Sequence, residues 1–162
     1  MRKDCAYYKA VERTFTLADF ERGKHSPNHS LFHLERMRLL CEDLGNPQSS
    51  LPSVHVAGTK GKGTTSAMIA SILRYSGLKV GLITSPHLHS LTERIRVGGD
   101  PIAKDDFVDL VEEIWPAVLR VDKNGSFGAV TWFEFMVAAA FFFFRKSSVD
   151  FQVVETGLGG GV

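Results

Sequence analysis

Cysteine is almost absent from this chain: Cys5 and Cys41 stand far apart, with no Cys-x-x-Cys spacing. Neither a disulfide framework nor a thiolate zinc site is indicated, and reduced thiols in a cytoplasmic protein are the default. An excess of charge of one sign is missing as well. The formal net charge is +1 with 23% charged residues, so there is no broad electrostatic footprint for nucleic acid or an anionic membrane. Any attraction for phosphate must be local. The apolar run Phe135 to Phe144 is ten residues long, about half of a membrane span, and reads as a buried helix. The segment Met1-Arg2-Lys3-Asp4-Cys5-Ala6-Tyr7-Tyr8 lacks the apolar core of a signal peptide, while Asp4, Glu12, Asp19 and Glu21 argue against an acid-poor transit peptide. The sequon Asn124-Gly125-Ser126 therefore reads as a turn.

What the chain does have is an alternation of strand and helix patterns. With 162 residues it fits one domain, residues 1–162, able to bury about two thirds of the surface its unfolded form exposes. Leu31, Leu34, Met37, Leu40, Cys41 and Leu44 recur at helical spacing after Ser30, an N-cap candidate, and Gly45-Asn46-Pro47 stops that helix. Ser53 to Ala57 reads as a strand, and a glycine loop and helix follow to Gly77. Lys79 to Thr84 reads as a second, buried strand. Asp105-Asp106 start a helix through about Arg120, with Pro116 expected to kink or end it. Thr131 to Lys146 is the next predicted helix and Phe151 to Glu155 the next strand. This order predicts an α/β fold, a mostly parallel sheet with helices on both faces. Its ligands should gather at the carboxyl ends of the strands, where Gly58, Thr84-Ser85 and Glu155 all fall.

The most specific segment is Val54-His55-Val56-Ala57-Gly58-Thr59-Lys60-Gly61-Lys62-Gly63-Thr64-Thr65, which leads into the helix-forming Ser66 to Leu73. Glycines let backbone N–H groups crowd around phosphate oxygens, the following helix points its positive end at them, and a lysine adds a point charge for the outer phosphates. The strict pattern G-x-x-x-x-G-K-[ST] is not met. The first glycine stands three residues before Gly61 rather than five, and Gly63 separates Lys62 from Thr64. A merely flexible strand-to-helix turn needs one glycine and gains nothing from lysines at a helix N-terminus.

Gly58 to Thr64 resembles the nucleotide loop of the folylpolyglutamate synthase and dihydrofolate synthase branch of the Mur ligase-like amide ligases, and the extra Gly63 favours that branch. Three further stretches fit in order: Thr84-Ser85-Pro86-His87-Leu88 with Glu93-Arg94-Ile95, then Thr131-Trp132-Phe133-Glu134, then Glu155-Thr156-Gly157-Leu158-Gly159-Gly160. The resemblance implies a fold like the P-loop NTPases, that of the Mur ligase central domain. It also implies ligation of glutamate to dihydropteroate or folate, with ATP phosphorylating the carboxylate that reacts. Gly58, Thr59, Lys60, Gly61, Lys62, Gly63 and Thr64 would hold ATP. Ser85 and Glu155 match positions that hold Mg²⁺, a hard cation suited to one carboxylate, waters and phosphate. Lys62 and Glu155 are the candidates for direct work on the reaction.

The resemblance further sets a pterin-bearing substrate against Leu31, Leu34, Thr131, Trp132, Phe133 and Glu134, with Phe133 able to stack on the ring, and the loop Ser85 to Arg94 over it. Thr131-x-x-Glu134 before an apolar run is also a capping box, which accounts for that spacing by itself. Likewise Ser85 before Pro86 fits an ordinary turn, and Glu155 a solvated strand end. His25, His29 and His33 sit four apart, but Pro27 breaks the spacing and no cysteine or carboxylate joins them, so they read as a surface face. His87 and His89 read the same way. The expected partners are small molecules, with a monomer, no nucleic acid and no membrane. The family's later segments, which hold a further metal ligand and receive glutamate, have no counterpart here. The expectation is thus the N-terminal part of a ligase, the alternative being a nucleotide-binding module without ligase activity of its own.

Overall fold

The computed structural model describes residues 2–19 and 34–157. Ser30, Leu31, the histidines His25, His29 and His33, and Leu158 to Gly160 of the last motif lie outside the described residues. In chain order the elements are α1 (Arg2–Thr14), α2 (Leu34–Asp43), β1 (Ser53–Val56), α3 (Lys62–Tyr75), β2 (Val80–Ile83), β3 (Ile95–Val97), β4 (Asp100–Pro101), α4 (Lys104–Asn124), α5 (Trp132–Lys146) and β5 (Phe151–Glu155). They divide into two compact units, Met1–Gln48 with Lys104–Phe142, and Ser49–Ala103 with Phe143–Val162.

The first unit is helical. Tyr7 and Ala10 of α1 are buried at the i, i+3 spacing of one helix face, and Tyr7 meets Phe107 of α4 edge to face at 5.9 Å. Helix α1 has no counterpart among the expected elements. Phe107, Leu110, Val111, Ile114, Trp115, Ala117, Val118 and Val121 form one buried stripe along α4. That stripe explains why α4 does not end at Pro116 but runs 21 residues to Asn124. A proline inside a helix costs about 3 kcal/mol, whereas each large apolar side chain withdrawn from water contributes about 1.5–3 kcal/mol. Pro116 itself stays exposed. Trp115 packs edge to face on Phe135 of α5 at 6.0 Å, and Phe135, Met136, Ala138, Ala139 and Ala140 are all buried. The apolar run of α5 is thus a core helix, and no helix among the described residues is long and apolar enough to cross a membrane.

The second unit carries the sheet, in the order β1-β5-β2-β3-β4. β5 lies between β1 and β2 and is parallel to both, while β3 is antiparallel to β2 and to β4. The sheet is therefore mixed rather than mostly parallel. The departure comes from the hairpin of β3 and β4, whose two loop residues, Gly98 and Gly99, both take positive φ, 64° and 103°. A two-residue loop of that backbone type matches the natural twist of paired antiparallel strands. Ala70 of α3 joins Val56, Val80, Leu82 and Val153 in a core on one sheet face. Gly81 points to the opposite face, because side chains alternate along a strand. There the ring of Phe144, in the last turns of α5, lies directly over it.

Candidate functional site

The site begins where β1 hands over to α3. Gly58 takes φ 149° and Gly61, the N-cap of α3, takes φ 75° in the left-handed region, a conformation that only glycine adopts without penalty. No side chain caps this helix, and its first regular backbone bond runs from Thr65 N–H to Gly61 C=O at 2.9 Å. The N–H groups of Lys62, Gly63 and Thr64 thus have no acceptor four residues back, and they carry the positive end of the helix dipole. The Lys62 ammonium donates to Gly58 C=O at 3.0 Å, folding its charge back over the loop.

The register of the parallel strands brings the second group to the same edge. Val56 pairs with Glu155, and Ile83 with Val154, so β1, β5 and β2 end almost level. Glu155 is 7% exposed, and its Oε2 accepts the backbone N–H of Ser85 at 2.9 Å. A Cβ placed on Gly63 would lie 3.5 Å from Glu155 Oε1. The carboxylate therefore stands against the first turn of α3, where its negative charge is favoured by the helix dipole. A cleft of about 690 Å³ opens there, bordered by Gly63, Thr64, Thr84, Ser85, His87 and Glu155 and running along α3 to Arg74 and Arg96. That volume suits a small-molecule ligand.

The loop after β2 is shaped by its own side chains. Ser85 and Pro86 are joined by a cis peptide bond. Glu93 accepts N–H bonds from Leu88 at 3.0 Å, His89 at 3.2 Å and Ser90 at 2.9 Å, and these donors hold its carboxyl below the usual range, Leu88 contributing most. Arg94 Nε donates to His87 Nδ1 at 2.9 Å. Ser90-Leu91-Thr92-Glu93 forms a capping box. The Ser-x-x-Glu spacing makes this organiser legible in sequence.

The remaining predicted residues lie in the helical unit. Thr131 and Glu134 form the expected capping box: Thr131 N–H donates to Glu134 Oε2 at 2.8 Å, and Glu134 N–H to Thr131 Oγ1 at 3.3 Å. Trp132 is fully buried and donates its indole N–H to Thr14 Oγ1 at 3.3 Å. Its ring is therefore a core group and not a ligand wall in this structure. Phe133 and Glu134 are half-buried, and Leu34 is 61% exposed. The structure thus gathers Gly58, Lys62, Gly63, Ser85 and Glu155 at one sheet edge and Leu34 with Thr131 to Glu134 in the other unit. Among the described residues no three histidine, cysteine or acidic side chains cluster as a metal site.

No protein-family model matches the chain. It is 44% identical over 128 residues to a dihydrofolate synthase/folylpolyglutamate synthase of Bacillus subtilis, a match over 78% of this chain. It is 38% identical over 128 residues to the human mitochondrial folylpolyglutamate synthase. The solved structure of Mycobacterium tuberculosis folylpolyglutamate synthase complexed with ADP and AMPPCP superposes with a TM-score of 0.84 over 97% of this chain at 32% identity. The chain belongs to the folylpolyglutamate synthase and dihydrofolate synthase family. It spans 30% of the length of the Bacillus protein, 21% of the human one and 33% of the mycobacterial structure. An AMPPCP and folate complex of a folylpolyglutamate synthase superposes with a TM-score of 0.82 at 34% identity.

Proposed function

We propose that this chain carries the nucleotide-binding part of an ATP-dependent ligase that joins L-glutamate to dihydropteroate or folate through an acyl phosphate. The observation that carries the reading is the placement of the Glu155 carboxylate against the first turn of α3, beside the glycine loop and Lys62. Two relatives in this family are described as complexes with AMPPCP or ADP, in keeping with a nucleotide at this loop.

In this reading the backbone N–H groups of Lys62, Gly63 and Thr64 receive phosphate oxygens. The Lys62 ammonium leaves Gly58 C=O to meet the outer phosphate, stabilising charge as it develops there. The residues fit Mg²⁺: Glu155 offers one carboxylate, Ser85 a hydroxyl, and phosphate and water would complete an oxygen shell without further acidic ligands. The ion would neutralise charge on the transferred phosphoryl group. Ser85 N–H keeps Oε2 of Glu155 oriented, while Oε1 accepts no hydrogen bond among the described residues. In the helical unit, Leu34, Thr131, Phe133 and Glu134 supply contacts for the pterin, with the Phe133 ring as its stacking surface.

Calorimetric titration with Mg-ATP tests the reading. The unmodified chain should bind, and Lys62→Ala should weaken binding by about 1.5–3 kcal/mol, the range for a hydrogen bond to a charged group. Equal affinity of the two proteins would remove the loop from the argument.

A further inference from the structure

Arg36 is a charged residue at 4% exposure that no part of the nucleotide site uses. Its Nε donates to Glu134 Oε2 at 2.7 Å and its Nη2 to Glu134 Oε1 at 2.8 Å, a planar fork on a carboxylate. Its Nη1 donates to Phe127 C=O at 2.8 Å, holding the stretch that precedes α5. A Cβ on Gly128 would approach the same Nη1 to 3.5 Å. Glu134 meanwhile closes the capping box with Thr131.

Arg36 is the third residue of α2 and Glu134 the third of α5, so one buried ion pair ties together the first turns of two helices. Leu34 opens α2 two residues before Arg36, and Phe133 precedes Glu134 directly. Stability alone is a weak reason for such a pair, since apolar residues of similar volume commonly stabilise as well or better. What apolar packing does not supply is a fixed register with directional bonds.

We propose that Arg36 is a positioning residue for the pterin-bearing substrate: its fork on Glu134 sets the spacing between Leu34 and Phe133. The inference rests on the pterin reading of that turn given above. Arg36 touches no ligand in this scheme and acts through Glu134 and the α5 cap.

The test is calorimetric titration of the 162-residue chain with folate and, separately, with Mg-ATP, for the unmodified protein, Arg36→Lys and Glu134→Gln. Titrations are run well below each protein's melting temperature by circular dichroism. Arg36→Lys keeps the charge but loses the planar fork, and should weaken folate binding about tenfold while Mg-ATP affinity stays unchanged. Glu134→Gln should do the same. Unchanged folate affinity in both variants overturns the positioning role. Parallel loss of folate and Mg-ATP affinity also overturns it, because it marks a purely structural defect. No folate binding by the unmodified chain overturns the pterin reading itself, and the positioning role with it.

Discussion

Glu155 Oε2 accepts the backbone N–H of Ser85 at 2.9 Å, joining the end of β5 to the loop after β2 across 70 residues of sequence. One oxygen of the carboxylate is thereby oriented by the protein, and both oxygens lie beside Gly63, 3.5 and 3.6 Å from where its Cβ would stand.

Replacing Glu155 by glutamine keeps the shape and removes the charge. The Mg²⁺-dependent part of ATP affinity should then fall by about 1.5–3 kcal/mol, with metal-free ATP binding nearly unchanged. Ser85→Ala should show the same pattern more weakly. Titrations with and without EDTA separate the two parts. An equal loss in both conditions would mean that Glu155 acts on the loop and not through a metal.

Gly81→Ala should destabilise the sheet unit by about 1–3 kcal/mol, the usual range for overpacking a closed core. The new Cβ would fall 2.6 Å from Cγ and Cδ1 of Phe144, a ring that is fully buried. A urea midpoint shift measures this, and adding Phe144→Leu should restore part of the loss. A Gly81→Ala midpoint equal to the unmodified one would show that the ring moves freely.

Burial pushes the Cys41 thiol from 9.0 up to about 11, while Cys5 is exposed. At pH 8 a thiol reagent should modify Cys5 quickly and Cys41 only after unfolding. Because the folded value is the higher one, this thiol's contribution to stability is complete below about pH 9 and declines as pH rises towards 11. A Cys41→Ala variant should lose that alkaline dependence. Rapid double labelling of the native protein would contradict the burial.

Glu93 shifts the other way. Its carboxyl is held low by the N–H groups of Leu88, Ser90 and His89, so its contribution is present above the unfolded value and lost as acid protonates the folded form. Amide exchange at Leu88, His89 and Ser90 should accelerate, relative to the intrinsic rate, as pH falls below the ordinary range of a glutamate carboxyl. Glu93→Gln should show fast exchange at neutral pH too. Protection independent of both changes would assign the loop's shape to other contacts.

Much of the fold was legible because its periods are strong. The strands Ser53–Val56, Val80–Ile83 and Phe151–Glu155 and the helix α5 appear within one or two residues of their expected bounds, whereas α3 begins at Lys62, four residues before the expected helix-forming Ser66, because the glycine loop itself turns into the first helical turn. The hairpin at Gly98-Gly99 carried a readable two-glycine turn, but its strands, Ile95–Val97 and Asp100–Pro101, are too short for alternation to register. Helix α1 is polar overall, and among its described side chains only Tyr7, Ala10 and Thr14 are buried, a signal too sparse to stand out.

The sequence by itself determined the local chemistry: the glycines that let the chain turn into α3, the lysine beside them, the capping boxes, and a family resemblance carried by ordered short motifs. Those depend on residues within a few positions of each other. The sequence already set Gly58, Ser85 and Glu155 at one strand edge, and the tertiary structure alone decided that Glu155 Oε2 accepts the Ser85 N–H, that Trp132 is a core group, and that Arg36 clasps Glu134 across 98 residues. Such pairings depend on which strand slots between which others and on which helix faces are buried together. Contacts of that kind come from packing the whole chain, and no local pattern encodes them.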